Sequence, residues 1–386
     1  MCLRHPRTTA EGTPVTSIDS TPPARARGAV APRRTVAGIW ALVVALIALV
    51  VLTFLPTGYV IEQPGPVYDT IGGVEDADGE ITPLISVKGA ETYETSGSLD
   101  LTTVQVVGNR ERTPSWFELA LAWLDGSRAV VPIDSVFPAG QTSEQREEQN
   151  TAMMVDSQAE ATAAALTELG YDVGARLEVV GPTGDDSPAV GVVEEGDVVL
   201  AADGQEVADV DELKSVVAAG EGDPLTLTVE RDGERRDLEI TPEEATIDGE
   251  RTWLIGVYLT TAFDFPIDVS IRLDDVGGPS AGTMFALGII DTLTPGEMTG
   301  GEEIAGTGTI DAAGTVGPIG GIRQKLHGAR DAGAEFFLAP ASNCDEVVGH
   351  VPDGLQVFSI ETLDDALTSV DAIAAGDTGD LATCSG

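Results

Sequence analysis

The sequence predicts an α+β fold: one transmembrane helix, then an α/β domain carrying a small β-barrel. Three observations predict it. Residues Val36–Leu55 (VAGIWALVVALIALVVLTFL) hold no charge, and about twenty apolar residues suffice to cross a bilayer. Residues 172–243 have a barrel texture of short strands, tight glycine turns and one amphipathic helix. After Phe265, strands alternate with helices punctuated by glycine, the signature of an α/β domain.

Composition excludes several functions. The chain has 386 residues and a formal net charge of −43, from 64 acidic and 21 basic residues. A surface this acidic repels phosphate backbones, so no nucleic acid is expected as a partner. The lysines are Lys88, Lys214 and Lys325, and none lies in a phosphate-binding G-x-x-x-x-G-K-[ST] loop. Three cysteines and three histidines leave no metal site and no disulfide scaffold, and no cofactor is expected.

Taken in order, residues 1–35 form a Pro/Ser/Thr/Arg-rich arm with Arg4, Arg7, Arg25, Arg27, Arg33 and Arg34 against Glu11 and Asp19. Such composition predicts disorder. The apolar run 36–55 follows without a small-x-small cleavage site, so it reads as an uncleaved anchor. Arginines before it and acidic sequence after it place the arm in the cytoplasm by charge bias. The expectation is a single-pass cell-membrane protein with its catalytic part extracytoplasmic. Residues 59–170 read as short strands, then a helix at Ser115–Leu124 and a longer one at Glu144–Leu169. Residues 373–386 read as a loose tail.

Within 172–243, Gly196-Asp197 makes a turn, VVLAA a buried strand and Asp203-Gly204 a hairpin turn; DVDELKSVVAAG is the covering helix. This pattern resembles a PDZ domain of the bacterial protease-associated type. The resemblance implies a groove that captures an extended peptide by adding it to a sheet edge.

The chemistry lies further on. A strand at FPIDVSIR (265–272) leads into Gly277-Gly278-Pro279-Ser280-Ala281-Gly282 and an apolar helix, TMFALGIIDTLT. A serine at such a turn is exposed beside free helix N-terminal amides suited to an oxyanion. An ordinary helix cap is equally consistent with the serine alone. Farther along, Gly320–Gly333 brackets another helix, in which Ile322, Lys325, Leu326 and Ala329 share one apolar face. A lysine facing a core loses solvation, which lowers its pKa and makes it a base. The alternative is a snorkelling lysine with its head in water.

GPSAG at 278–282 together with TGTIDAAGTVGPIGGIRQK at 307–325 resembles the proteolytic domain of Lon-type serine proteases, peptidase family S16. The likeness runs from Trp253 to Ile360. With the anchor and the PDZ segment, the chain resembles bacterial membrane-anchored PDZ-containing Lon-like proteases. That implies a ribosomal S5 domain 2-like proteolytic domain over 250–372, begun by residues 59–170 with the PDZ segment inserted; a separate N-terminal domain is the alternative. It implies Ser280 as nucleophile, Lys325 as general base, Thr307 holding the lysine, and the Ala281 amide supporting the oxyanion. It also implies protein or peptide substrates docking on the PDZ groove, and a homo-oligomer by analogy. ATP-driven unfolding is not implied. Gly277 stands where many Lon enzymes have aspartate, and Thr309 where they have glutamate.

Two other readings compete. GPSAG also satisfies the G-x-S-x-G elbow of α/β-hydrolases, which needs a downstream histidine; only His327 and His350 are available. A PDZ adaptor on an inactive protease fold is the other. Cys344 and Cys384 can pair where oxidation is permitted, whereas Cys2 in the arm should stay reduced.

Overall fold

The computed structural model describes residues 33–384, apart from 76–78, 80, 139, 141, 185, 208, 248–249 and 274–275. The disordered arm expected over 1–35 lies almost wholly outside the described residues. The chain divides into two units, residues 1–54 and 55–386.

In the first unit, helix α1 spans Arg33–Phe54. Its described side chains run from Val36 to Leu52 and are exposed. Among the described residues no helix is long and apolar enough to cross a membrane. This corrects the expected transmembrane helix over 36–55. The single-pass placement, with the catalytic part extracytoplasmic, falls with it.

The second unit begins with strands β1 (Tyr59–Asp69), β2 (Ile85–Lys88) and β3 (Ser98–Val107), then helix α2 (Trp116–Ala122), β4 (Ala129–Pro132) and the long helix α3 (Ser143–Glu168). A capping box between Thr142 and Gln145 starts α3, and Gly170 at φ +80° follows its end. Next come β5 (Gly174–Pro182), β6 (Val198–Ala202), helix α4 (Val210–Ala219), β7 (Leu225–Arg231), β8 (Glu234–Ile240) and β9 (Val257–Asp264). The chain continues through β10 (Asp268–Ile271), α5 (Gly282–Leu293), β11 (Glu303–Gly306), α6 (Ile322–Ala332), β12 (Phe336–Pro340), β13 (Gln356–Ile360) and α7 (Leu363–Ala374).

Two six-stranded sheets result. The first runs β13-β12-β11-β3-β1-β4, so strands from both ends of the unit share it. The joint is β3 against β11, parallel, with Ser98 opposite Glu303 and Leu101 opposite Gly306. The all-apolar run of β12 (FFLAP) suits a strand covered on both faces. Alternation sends Leu338 to one face, with Leu99, Leu101 and Ile304, where α3, α5 and α7 pack. It sends Phe337 and Ala339 to the other, against Ile322, Leu326 and Ala329 of α6. Burying each such large side chain stabilises by about 1.5–3 kcal/mol.

The second sheet runs β8-β7-β6-β5-β9, with the short strand Gln205–Glu206 paired to β6 as its sixth member and α4 packed on it through Leu213 and Val217. Asp197, buried at the turn into β6, is held by Arg231: Nε donates to Oδ1 and Nη2 to Oδ2, both at 2.6 Å. The tail read as loose is fastened. Ser359 N donates to Ala382 O at 2.8 Å, and Cys344 forms a disulfide with Cys384.

Candidate active site

Ser280 ends the loop between β10 and α5, one residue before the N-cap Ala281. Strand β10 pairs with β2, which fixes where the loop begins. The Ser280 carbonyl accepts from Gly308 N at 3.0 Å and from Thr307 Oγ1 at 2.9 Å. No described residue accepts from the amides of Ser280 or Ala281.

Lys325 comes from the other face of the sheet. It shares the buried side of α6 with Ile322, Leu326 and Ala329 and is 2% exposed. The start of α6 is set tightly. Gly321 adopts φ +68°, and a Cβ there would meet Val104 Cγ2 at 2.6 Å, so only glycine fits. The buried Asn343 accepts from Ile319 N and donates to Ile319 O, both at 2.9 Å, holding the preceding loop.

The result is a three-residue cluster. Lys325 Nζ lies 2.8 Å from Ser280 Oγ and 2.8 Å from Thr307 Oγ1. Thr307 has one hydroxyl proton and gives it to the Ser280 carbonyl. Its oxygen therefore accepts from a Lys325 N–H. Burial pushes the Lys325 pKa down from 10.5 to about 7, because desolvation penalises the ammonium. At neutral pH much of the amine is uncharged, with a lone pair free for the serine proton.

All four residues singled out by sequence sit here: Ser280, Lys325, Thr307 and Ala281. The histidines do not. His350 is exposed, its ring Nδ1 within 3.1 Å of Val348 O, and among the described residues neither it nor His327 hydrogen-bonds Ser280 Oγ, which meets Lys325 Nζ instead. Among the described residues no cluster of His, Cys, Asp or Glu could hold a metal.

Helix α3 adds contacts that motif reading missed. Ser157 Oγ donates to Pro279 O at 3.0 Å, and Gly278 N donates to Asn150 O at 2.9 Å. A Cβ at Gly277 would meet Asn150 Cβ at 2.7 Å, so α3 lies where any side chain at 277 would begin. A signal for Ser157 existed. It falls on one helical face with Met154, Ala161, Ala164 and Ala165, a lone hydroxyl on an apolar stripe.

Known families coincide with these two regions. Residues 274–372 match the Lon protease (S16) C-terminal proteolytic domain, and residues 172–241 match the PDZ domain. The chain carries a Lon-type proteolytic domain and a PDZ domain. Ser280, Thr307 and Lys325 all lie inside the Lon-type match. Lon protease 1 of Sorangium cellulosum is 40% identical over 93 residues, 23% of this chain and 11% of that protein. Lon protease 2 of Herpetosiphon aurantiacus is 36% identical over 108 residues, 26% of this chain and 13% of that protein. The matches thus span little more than a tenth of those relatives' length. The solved PDZ domain of the SdrC-like protein from Listeria monocytogenes is 24% identical, covering 22% of this chain and 85% of that chain, with a TM-score of 0.19.

Proposed function

We propose that this chain is a serine endopeptidase in which Ser280 is the nucleophile and Lys325 the general base. The observation that carries the reading is the 2.8 Å approach of a buried, desolvated Lys325 amine to Ser280 Oγ. The Ser280 oxygen attacks the peptide carbonyl carbon while its proton passes to Lys325 Nζ. The Ser280 and Ala281 amides receive the oxyanion. As the C–N bond breaks, the Lys325 ammonium returns the proton to the leaving amine. Neutral Lys325 then takes a proton from water as its oxygen attacks the acyl carbon; the bond to Ser280 Oγ breaks, the carboxylic product leaves, and the Lys325 ammonium returns the proton to Ser280 Oγ.

Two features support a substrate that arrives as extended polypeptide. Strand β9, just past the PDZ match, is one of the two outer strands of the sheet that holds the PDZ segment, and among the described residues no strand pairs with its far edge, to which a peptide strand can add. β9 is followed directly by β10, which leads to Ser280. The β3–β11 pairing supports reading the PDZ segment as an insertion, since those partners flank it in sequence.

The test is a census of new protein N-termini in cells carrying wild type, Ser280→Ala, Lys325→Ala or His350→Ala. Cleavages lost in the first two variants and kept in the third are expected, and they name the substrates. Four identical profiles would overturn the reading and leave a PDZ adaptor on an idle protease fold.

A further inference from the structure

We infer that Ser157 is a positioning residue that aims the Ser280 amide at the oxyanion through its hydrogen bond to the Pro279 carbonyl. The inference deepens the proteolytic reading and rests on it. It begins with the peptide plane. The Pro279–Ser280 bond does not precede a proline, so it is trans, and its C=O and N–H point in opposite directions. The Ser157 hydroxyl holds Pro279 O toward α3 at 3.0 Å. The Ser280 N–H is thereby turned away from α3, where no described residue accepts from it.

The neighbouring groups are tied as well. Gly278 N donates to Asn150 O at 2.9 Å, so α3 grips the loop on both sides of Pro279. Ser280 O is taken by Gly308 N and Thr307 Oγ1. Among the described residues neither the Ser280 nor the Ala281 amide has an acceptor, and these are the two the proposed reaction requires.

The position of Ser157 argues against a role in packing alone. It is 4% exposed and lies among alanines on the face of α3 that meets α5. A buried hydroxyl is tolerated there only if bonded; alanine would pack as well. Thr162, another buried α3 hydroxyl, shows the contrast: it donates to Gln158 O of its own helix at 2.7 Å and reaches no loop.

The test uses the full chain and fluorescein-labelled unfolded casein. Wild type, Ser280→Ala, Ser157→Ala, Ser157→Thr and Thr162→Ala are compared by kcat, KM, pH profile and thermal unfolding. Ser157→Ala is expected to lower kcat by about ten- to a hundredfold, the scale of a misplaced reacting group. KM should hold within about twofold and the pH midpoint should not move, since Lys325 is untouched. Ser157→Thr, which keeps the hydroxyl, should recover most of the rate, and Thr162→Ala should match wild type. A Ser157→Ala kcat within about twofold of wild type, or a loss no larger than that of Thr162→Ala, overturns the aiming role while proteolysis stands. If wild type and Ser280→Ala cleave casein equally, the proteolytic reading fails and the aiming role goes with it.

Discussion

The Thr307 hydroxyl donates to the Ser280 carbonyl at 2.9 Å while its oxygen sits 2.8 Å from Lys325 Nζ. One side chain thus fixes both the nucleophile's backbone and the rotation of the amine. Thr307→Val keeps the shape of this fully buried residue and removes both bonds. It should lower kcat by about tenfold or more, with Thr307→Ser close to wild type. Steady-state rates on casein check this, and a fully active valine variant would sink it.

Activity should rise with pH. The base works only as the neutral amine, and the Lys325 pKa is pushed down to about 7 by burial. The rate should climb through that pH and level off above it. A flat profile between about pH 6 and 9 would remove Lys325 as the base.

The same burial has a cost in stability. The folded-state pKa lies below that of the unfolded chain, so between about 7 and 10.5 the unfolded chain holds a proton that the folded one lacks. Wild-type stability should therefore rise with pH across that window. Lys325→Met removes the buried amine. It should abolish cleavage, raise stability near pH 7 by about 2 kcal/mol and flatten the pH dependence, as read by denaturant unfolding. A variant less stable than wild type would contradict this.

Gly277→Asp restores the residue common in Lon enzymes, yet it should impair this protein. Its Cβ would meet Asn150 Cβ at 2.7 Å, so α3 or the serine loop must shift. A loss of about 1–3 kcal/mol in stability is expected from such overpacking, with reduced kcat. Thermal unfolding and casein cleavage together check it; a neutral outcome would mean that α3 yields freely there.

The Cys344–Cys384 disulfide closes a loop with a sequence separation of 40. Cys384→Ser should cost about 4 kcal/mol, because opening the loop returns more conformational entropy to the unfolded chain than to the folded one. Intact mass with and without reductant verifies the bond, and unfolding in each state gives its contribution. Equal stability would show that the Ser359–Ala382 pairing holds the tail unaided.

Motif and period carried the local part of the site. Glycines around 278–282 marked a serine at a strand-to-helix turn. The spacing of Ile322, Leu326 and Ala329 placed Lys325 on the inner face of α6, where it is 2% exposed. Such features depend only on residues within a turn or two of each other. The reading of the apolar run at 36–55 as a membrane span is not carried by the structure, where no helix among the described residues is long and apolar enough to cross a bilayer.

The tertiary structure decided what lies across the packing. Ser157 meets Pro279 over a sequence separation of 122, and Asn343 clamps Ile319 over 24. Periodicity tells which face of a helix is apolar but not which segment will lie against it. The crossing of α3 over the serine loop, and the pairing of β3 with β11, arise only when both halves of the sheet close around one core. By itself the sequence determined the candidate chemistry and the faces it sits on. The partners that aim that chemistry came from tertiary packing, because hydrogen-bond direction depends on where two distant backbones meet.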